Sequence, residues 1–154
     1  MLQTTHDALV DQAIVNDAFY GALNLKDFQE LYRIPAAVAP IPIAAQMDLS
    51  VAEINAELAV WKKVNTDAGK TAITDLDDTT EPPGALVKWY REAVYARAYG
   101  YLIPMLVTFY FTDQADGLED EMGQNEGRFF ARSEHFLNLV RGVAVSGEVS
   151  MEMI

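Results

Sequence analysis

No cysteine occurs in this 154-residue chain, which excludes disulfide scaffolds, zinc fingers, iron–sulfur clusters and thiol catalysis together. Histidine is nearly as scarce, with His6 and His135 the whole supply. The paired Glu-x-x-His motifs of di-iron helical bundles are therefore missing, since Arg132 stands three positions before His135. No Gly-x-Ser-x-Gly elbow is present, so nucleophilic catalysis has neither an activated serine nor an evident base. Positive charge is also in short supply: 11 basic side chains face 23 acidic ones, a formal net charge of -12. A chain of that sign does not grip nucleic acid through its phosphates, although it is compatible with standing beside DNA and repelling it.

Two near-motifs fail on spacing. Gly69-Lys70-Thr71 imitates the end of a phosphate-binding loop, but the glycine required five residues earlier is Val64, and a helix rather than a strand is expected before it. The acidic stretch from Asp113 to Glu126, and Asp75-Leu76-Asp77-Asp78, lack the glycine and terminal glutamate positions of a calcium loop. They read as a solvated helix start and a solvated loop. No catalytic, cofactor or metal site is expected, and the protein is expected not to be an enzyme.

What is present is a globular composition, 51% hydrophobic and 22% charged, of a length suited to one domain. The opening MLQTTHDALV has neither the basic nor the apolar region of a signal peptide, so none is expected. Ala93 to Phe111 is long enough to cross a bilayer. However, Arg97 lies within it and Asp113 and Asp116 follow without a basic flank, so it reads as a buried core helix and not a membrane span.

Along the chain, residues 1–23 show no sustained period and read as an N-terminal extension. Asn24 can cap a short helix, LKDFQELYRI, in which Leu25, Phe28, Leu31 and Tyr32 share a face and which Pro35 stops. The run IAAQMDLSVAEINAELAVWKKV is the clearest helix, with Val51, Ile54, Leu58, Trp61 and Ala68 on one stripe. Ser50 with Glu53 would form a capping box that starts it at Ser50, while IAAQM equally allows a start near Ile43. Residues 66–84 form a polar connection. A helix from about Ala85 to about Thr108 follows, with Leu86, Trp89, Tyr90, Ala93, Val94, Tyr101 and Leu102 as core candidates. Pro104 is expected to kink or divide it. Tyr90, Tyr95, Tyr99, Tyr101 and Tyr110 surround that helix densely, which fits either an interface or core packing with hydroxyls turned to water. A last helix carries acids early and Arg128, Arg132 and Arg141 late, matching the helix dipole, with Phe129, Phe130, Phe136, Leu137 and Val140 inward. His135 reads as a half-buried helix residue.

The tail changes period. Val143, Val145, Val149, Met151 and Met153 alternate with Ala144, Ser146, Glu148, Ser150 and Glu152, a strand pattern. A lone strand cannot satisfy its own backbone. With no other clear strand in the chain, its partner is expected to be another protein. The expected fold is thus all-α, a small helical bundle of about four helices with an extended N-terminal arm and a C-terminal β-strand-like tail. The expected boundaries are 1–23 for the extension, 24–143 for the helical domain and 144–154 for the partner-binding tail.

Four blocks resemble one family, the head-completion or head-to-tail adaptor proteins of tailed bacteriophages: NLKDFQELYRI followed by Val38, AEINAELAVWKK, WYREAVYARAYGYL and the terminal VSMEMI. The resemblance runs in order over residues 24–154, and the intervals from Val38 through Ile43 to Glu53-Ile54-Asn55 match without a gap. Pro40 and Pro42 depart from it, standing where the family usually continues a helix, as does the Gly- and acid-rich stretch 113–127. The resemblance implies a structural virion protein of the phage neck, assembled in the host cytoplasm. It also implies a homo-oligomeric ring, commonly dodecameric, beneath the portal protein, which completes the DNA-filled head and docks a tail-side connector. It implies that the tail residues Val149, Met151, Met153 and Ile154 pair with the portal by β-augmentation, and that DNA passes through the lumen without specific binding. The alternative reading is a soluble helical metal-binding protein or enzyme using acidic residues.

Overall fold

The computed structural model describes residues 8–110 and 115–143, side chains excepted at 110 and 115–124. Among them the architecture is mostly helical, with a two-stranded sheet near the N-terminus. Strand β1 (Ala13–Ile14) pairs antiparallel with β2 (Leu23–Asn24), Ala13 opposite Asn24 and Ile14 opposite Leu23. The connecting turn is built on Asp17, whose carboxylate accepts from the Phe19 N–H at 2.8 Å and whose carbonyl accepts from Tyr20 and Gly21. Gly21 closes it at φ +87°, where a side chain would be strained.

Segment 8–23 is not peripheral to the core. Ile14, Phe19 and Tyr20 are buried in it. The segment shows no helical period because it spends its apolar residues on a hairpin and a turn, at irregular spacing.

Helix α1 (Leu25–Leu31) begins where Asn24 Oδ1 accepts from the Asp27 N–H at 3.0 Å. It buries Leu25 and Phe28 but leaves Leu31 exposed, and the chain turns through Arg33 at φ 55° before Pro35. Helix α2 (Pro40–Glu57) begins earlier than either expected start. Pro40 and Pro42 fall in its first turn, where backbone N–H groups have no intrahelical acceptor and proline loses nothing. Ser50 is therefore not a cap: it sits mid-helix, buried beside Met47, Val51 and Ile54. At Leu58 the backbone relaxes to φ -95°, ψ 5° and α3 (Ala59–Asp67) follows. The Leu58 N–H still reaches the Ile54 carbonyl and the Lys62 N–H the Leu58 carbonyl, so one expected helix is two joined at a bend. The inner stripe runs Ile54, Leu58, Trp61 and then Asn65, whose Nδ2 donates to the Trp61 carbonyl at 2.8 Å. Ala68, expected on that stripe, is exposed.

The connection 66–84 contains a 3₁₀ segment (Ile73–Thr79) that buries Ile73 and Leu76. The Ile73 N–H donates to the Phe19 carbonyl at 2.8 Å, tying this segment to the β1–β2 turn. Helix α4 (Ala85–Tyr110) runs through Pro104 without being divided. Helix α5 (Ala115–Arg141) packs antiparallel along it: Ser133 Oγ donates to the Ala93 carbonyl at 2.7 Å, and Phe130 lies against Gly100. The described residues thus hold five α-helices instead of about four, with α4 at the centre between α2 and α5. No helix among them is long and apolar enough to cross a membrane.

Candidate partner-binding surfaces

The residues expected to bind a partner, Val149, Met151, Met153 and Ile154, lie outside the described residues, as does the strand expected over 144–154. The point from which that segment departs is described. Val143 packs on the core, and its carbonyl accepts from Trp61 Nε1 at 3.0 Å. Trp61 is positioned by α3 and by Phe19, whose ring meets the indole edge-on at 6.1 Å. Three segments far apart in sequence therefore converge at the root of the tail: the β1–β2 turn, α3 and the end of α5.

A polar network braces this junction. The Tyr90 hydroxyl donates to Asn55 Oδ1 at 2.6 Å and accepts from Asn16 Nδ2 at 2.9 Å, and Asn55 Nδ2 donates to Asn16 Oδ1 at 2.8 Å. The ring closes on itself, so each buried polar group is matched. Tyr20 stacks on Tyr90, centroids 4.4 Å apart and planes within 4°. Burial raises the Tyr90 hydroxyl well above its ordinary value, and it is held protonated as a donor. Asn16 carries no sequence signal for this role, because its partners lie 39 and 74 positions away.

Beside the network, Asp17, Tyr20, Asn55, Ala59, Lys62 and Thr66 line an open depression of about 400 Å³. Lys62 is paired with Asp17 across it. The Lys62 hydrogen bond first, and the Phe19 N–H second, hold the Asp17 carboxyl below the usual carboxylate range. On the outward side of α3, Val60 and Val64 are exposed at 78% and 44%.

A second surface lies where α1 meets α4 and α5. Leu31, Tyr32, Glu92, Arg128, Phe129 and Arg132 line a groove of about 460 Å³. Arg132 donates to Glu92 at 2.7 Å and lies over the Phe136 ring at 5.0 Å. Burial, with the Glu92 charge adding, pushes the Tyr32 hydroxyl up to about 12. On the opposite flank of α4, Arg97 meets Glu53 at 3.3 Å and Glu57 at 3.0 Å from the α2 side and Glu134 at 3.7 Å from α5. It draws three acids of an acidic chain around one half-buried guanidinium.

The tyrosines divide. Tyr90 and Tyr95 are buried with partnered hydroxyls, Tyr95 donating to Asp27 at 2.8 Å. Tyr101 is half-buried and donates to Glu53; the Tyr110 side chain is outside the described set. Core packing thus accounts for the deepest two. The Gly69-Lys70-Thr71 motif is a helix stop: the Lys70 N–H donates to the Asn65 carbonyl and the Gly69 N–H to Thr66, with Gly69 at φ +95°. His135 is exposed, with its ring edge-on to Phe136. Among the described residues no group of three or more His, Asp or Glu is placed to hold a metal ion; the side chains of 113–124, most of the acidic stretch, are not among those described.

Comparison with known proteins adds one match. No curated protein and no solved structure is significantly similar to the chain. The family model described as phage head completion protein (GPL) matches residues 14–149, from the buried Ile14 of β1 through all five α-helices to Val149, the first of the residues expected to bind a partner. The chain belongs to the phage head completion protein family.

Proposed function

We propose that the protein is a head-to-tail adaptor: a structural, non-enzymatic virion component of the phage neck that forms a ring beneath the portal after DNA packaging. The ring, dodecameric if it follows the portal's symmetry, completes the DNA-filled head and presents its opposite face to a tail-side connector. Assembly takes place in the host cytoplasm. The observation that carries this reading is the family match over residues 14–149, which spans the bundle and reaches the expected tail. A chain of net charge -12 supports it further, since a protein that encloses DNA in transit must not hold it.

Attachment to the portal is assigned to Val149, Met151, Met153 and Ile154, whose alternation suits addition to a sheet edge. In functional terms we divide the chain into extension (1–23), adaptor domain (24–143) and tail (144–154), and assign Ile14, Phe19 and Tyr20 of the extension to the adaptor's core. The test is a deletion of residues 146–154. The truncated protein is expected to keep its helical circular dichroism and thermal transition and to lose co-sedimentation with purified portal rings. Portal binding at wild-type affinity would refute the assignment.

A further inference from the structure

We propose that the outward face of α3 is a docking surface for the chain's own segment 144–154, occupied when no portal is bound. This rests on the reading of that segment as the partner-binding tail.

Three observations carry it. The first is where the described chain ends: the Val143 carbonyl is held at 3.0 Å by Trp61, in the first turn of α3. The segment has 11 residues; extended, it reaches up to roughly 36–40 Å, while the nine residues of α3 span only about 13 Å. Every position on the α3 surface is within range.

The second is what that surface offers. Val60 and Val64, one helical turn apart, expose aliphatic side chains at 78% and 44%. Lys62 and Lys63 flank them. Each already meets one carboxylate, Asp17 and Asp67, but an ammonium has three donors and these pairs are partly solvent-exposed, which leaves capacity for a second acceptor.

The third is complementarity with the segment itself. Val145, Val149, Met151 and Met153 alternate with polar positions that include Glu148 and Glu152. In an extended segment these apolar side chains share one face, which matches Val60 and Val64, and the opposite face carries Glu148 and Glu152 toward solvent. The competing location in the same chain is the outer edge of the β1–β2 pair. It is flanked by Asp11 and Asp17, of the same sign as Glu148 and Glu152, and its strands are two residues long. So short a ladder offers little edge to extend, which favours α3. A tail seated there competes with the portal for the same residues, so attachment to the portal includes a hand-over from α3.

The absence of native cysteine makes the test direct. Full-length Met151→Cys/Val64→Cys is compared with Met151→Cys/Val15→Cys, Val15 being 84% exposed just past β1. Oxidation is followed on non-reducing gels. The Val64 pair is expected to close within one chain at least about tenfold faster than the Val15 pair, as local effective concentration dictates. Equal or faster closure with Val15 overturns the proposal, and so does a product that is mainly cross-linked dimer, which would assign the face to a second copy. In a separate arm, full-length Val60→Glu/Val64→Glu should bind portal severalfold more tightly because a competitor has been removed; unchanged or weaker binding overturns the hand-over. The 146–154 deletion reads the portal assignment independently. Its failure leaves the cross-linking result intact, and an absent cross-linking preference leaves the portal assignment intact.

Discussion

The Trp61 indole N–H donates to the Val143 carbonyl at 3.0 Å across 82 positions of sequence, tying the residue that follows α5 to α3. Trp61 is only 9% exposed, and Val143 is partly buried against the core. A carbonyl in that setting is costly to leave unpaired. Trp61→Phe, which retains an aromatic ring against Phe19 but removes the donor, is expected to lower stability by about 1–3 kcal/mol. Urea unfolding followed by circular dichroism measures this. A loss confined to the last turn of α5 would appear instead as faster amide exchange at 140–143 with an unchanged midpoint.

Removing one hydroxyl tests the Asn16–Asn55–Tyr90 ring. Tyr90→Phe leaves Asn55 Oδ1 without its donor and removes one of the two acceptors of Asn16 Nδ2, which keeps the Gly21 carbonyl at 2.9 Å. A loss of about 1–3 kcal/mol in chemical denaturation is expected. Because the three side chains share one network, Asn16→Ala combined with Tyr90→Phe should cost less than the sum of the single changes. Strict additivity would show that the ring does not act as a unit.

Gly100 allows α5 to approach α4. A Cβ there would stand 2.8 Å from Phe130 Cε1 and 3.0 Å from Cδ1. Helix propensity alone favours Gly100→Ala by about 1 kcal/mol, but a half-buried ring packed on Tyr101 must move to admit it. The substitution is expected to destabilise by about 1–2 kcal/mol net. In a Phe130→Ala background the sign should reverse, and thermal denaturation of the four proteins decides it.

The Asp17–Lys62 pair predicts a pH dependence. The folded-state pKa of Asp17 is depressed by Lys62 and by the Phe19 N–H. A depressed carboxyl contributes stability above its unfolded pKa, and that contribution is lost as pH falls through the folded value. Asp17→Asn should therefore cost less than about 1 kcal/mol at pH 7, the pair being partly exposed. The difference should shrink below pH about 4, where the unfolded carboxyl also protonates. Urea midpoints at pH 7, 5 and 3 check this; a difference that stayed constant or grew toward low pH would contradict it.

The largest part of the α-helical fold is legible in the sequence. Leu25 and Phe28, then Ile54, Leu58 and Trp61, then Leu86, Tyr90, Ala93, Val94 and Leu102, then Leu137 and Val140 recur at helical spacing, and all are buried. Asn24 announced itself as a cap because the side chain that starts α1 is adjacent in sequence to the amides it satisfies. Family membership was legible in the same way, as ordered blocks along one dimension, and the family match over 14–149 agrees with it. Ser50 misled because a serine followed by glutamate three residues later marks a helix start only where the chain is not already helical, and Pro40 had begun the helix ten residues earlier.

The sequence by itself determined the helical class, most of the helix faces, the family and the absence of thiol chemistry that follows from having no cysteine. Tertiary structure decided the rest: that Ile14, Phe19 and Tyr20 join the core, that Asn16 meets Tyr90, and that Val143 is pinned to Trp61. The physical reason is range. Periodicity and capping act within a turn or two of the chain, so composition and spacing record them. A hydrogen bond across 74 or 82 positions exists only once packing has brought its partners together, and no local pattern encodes it.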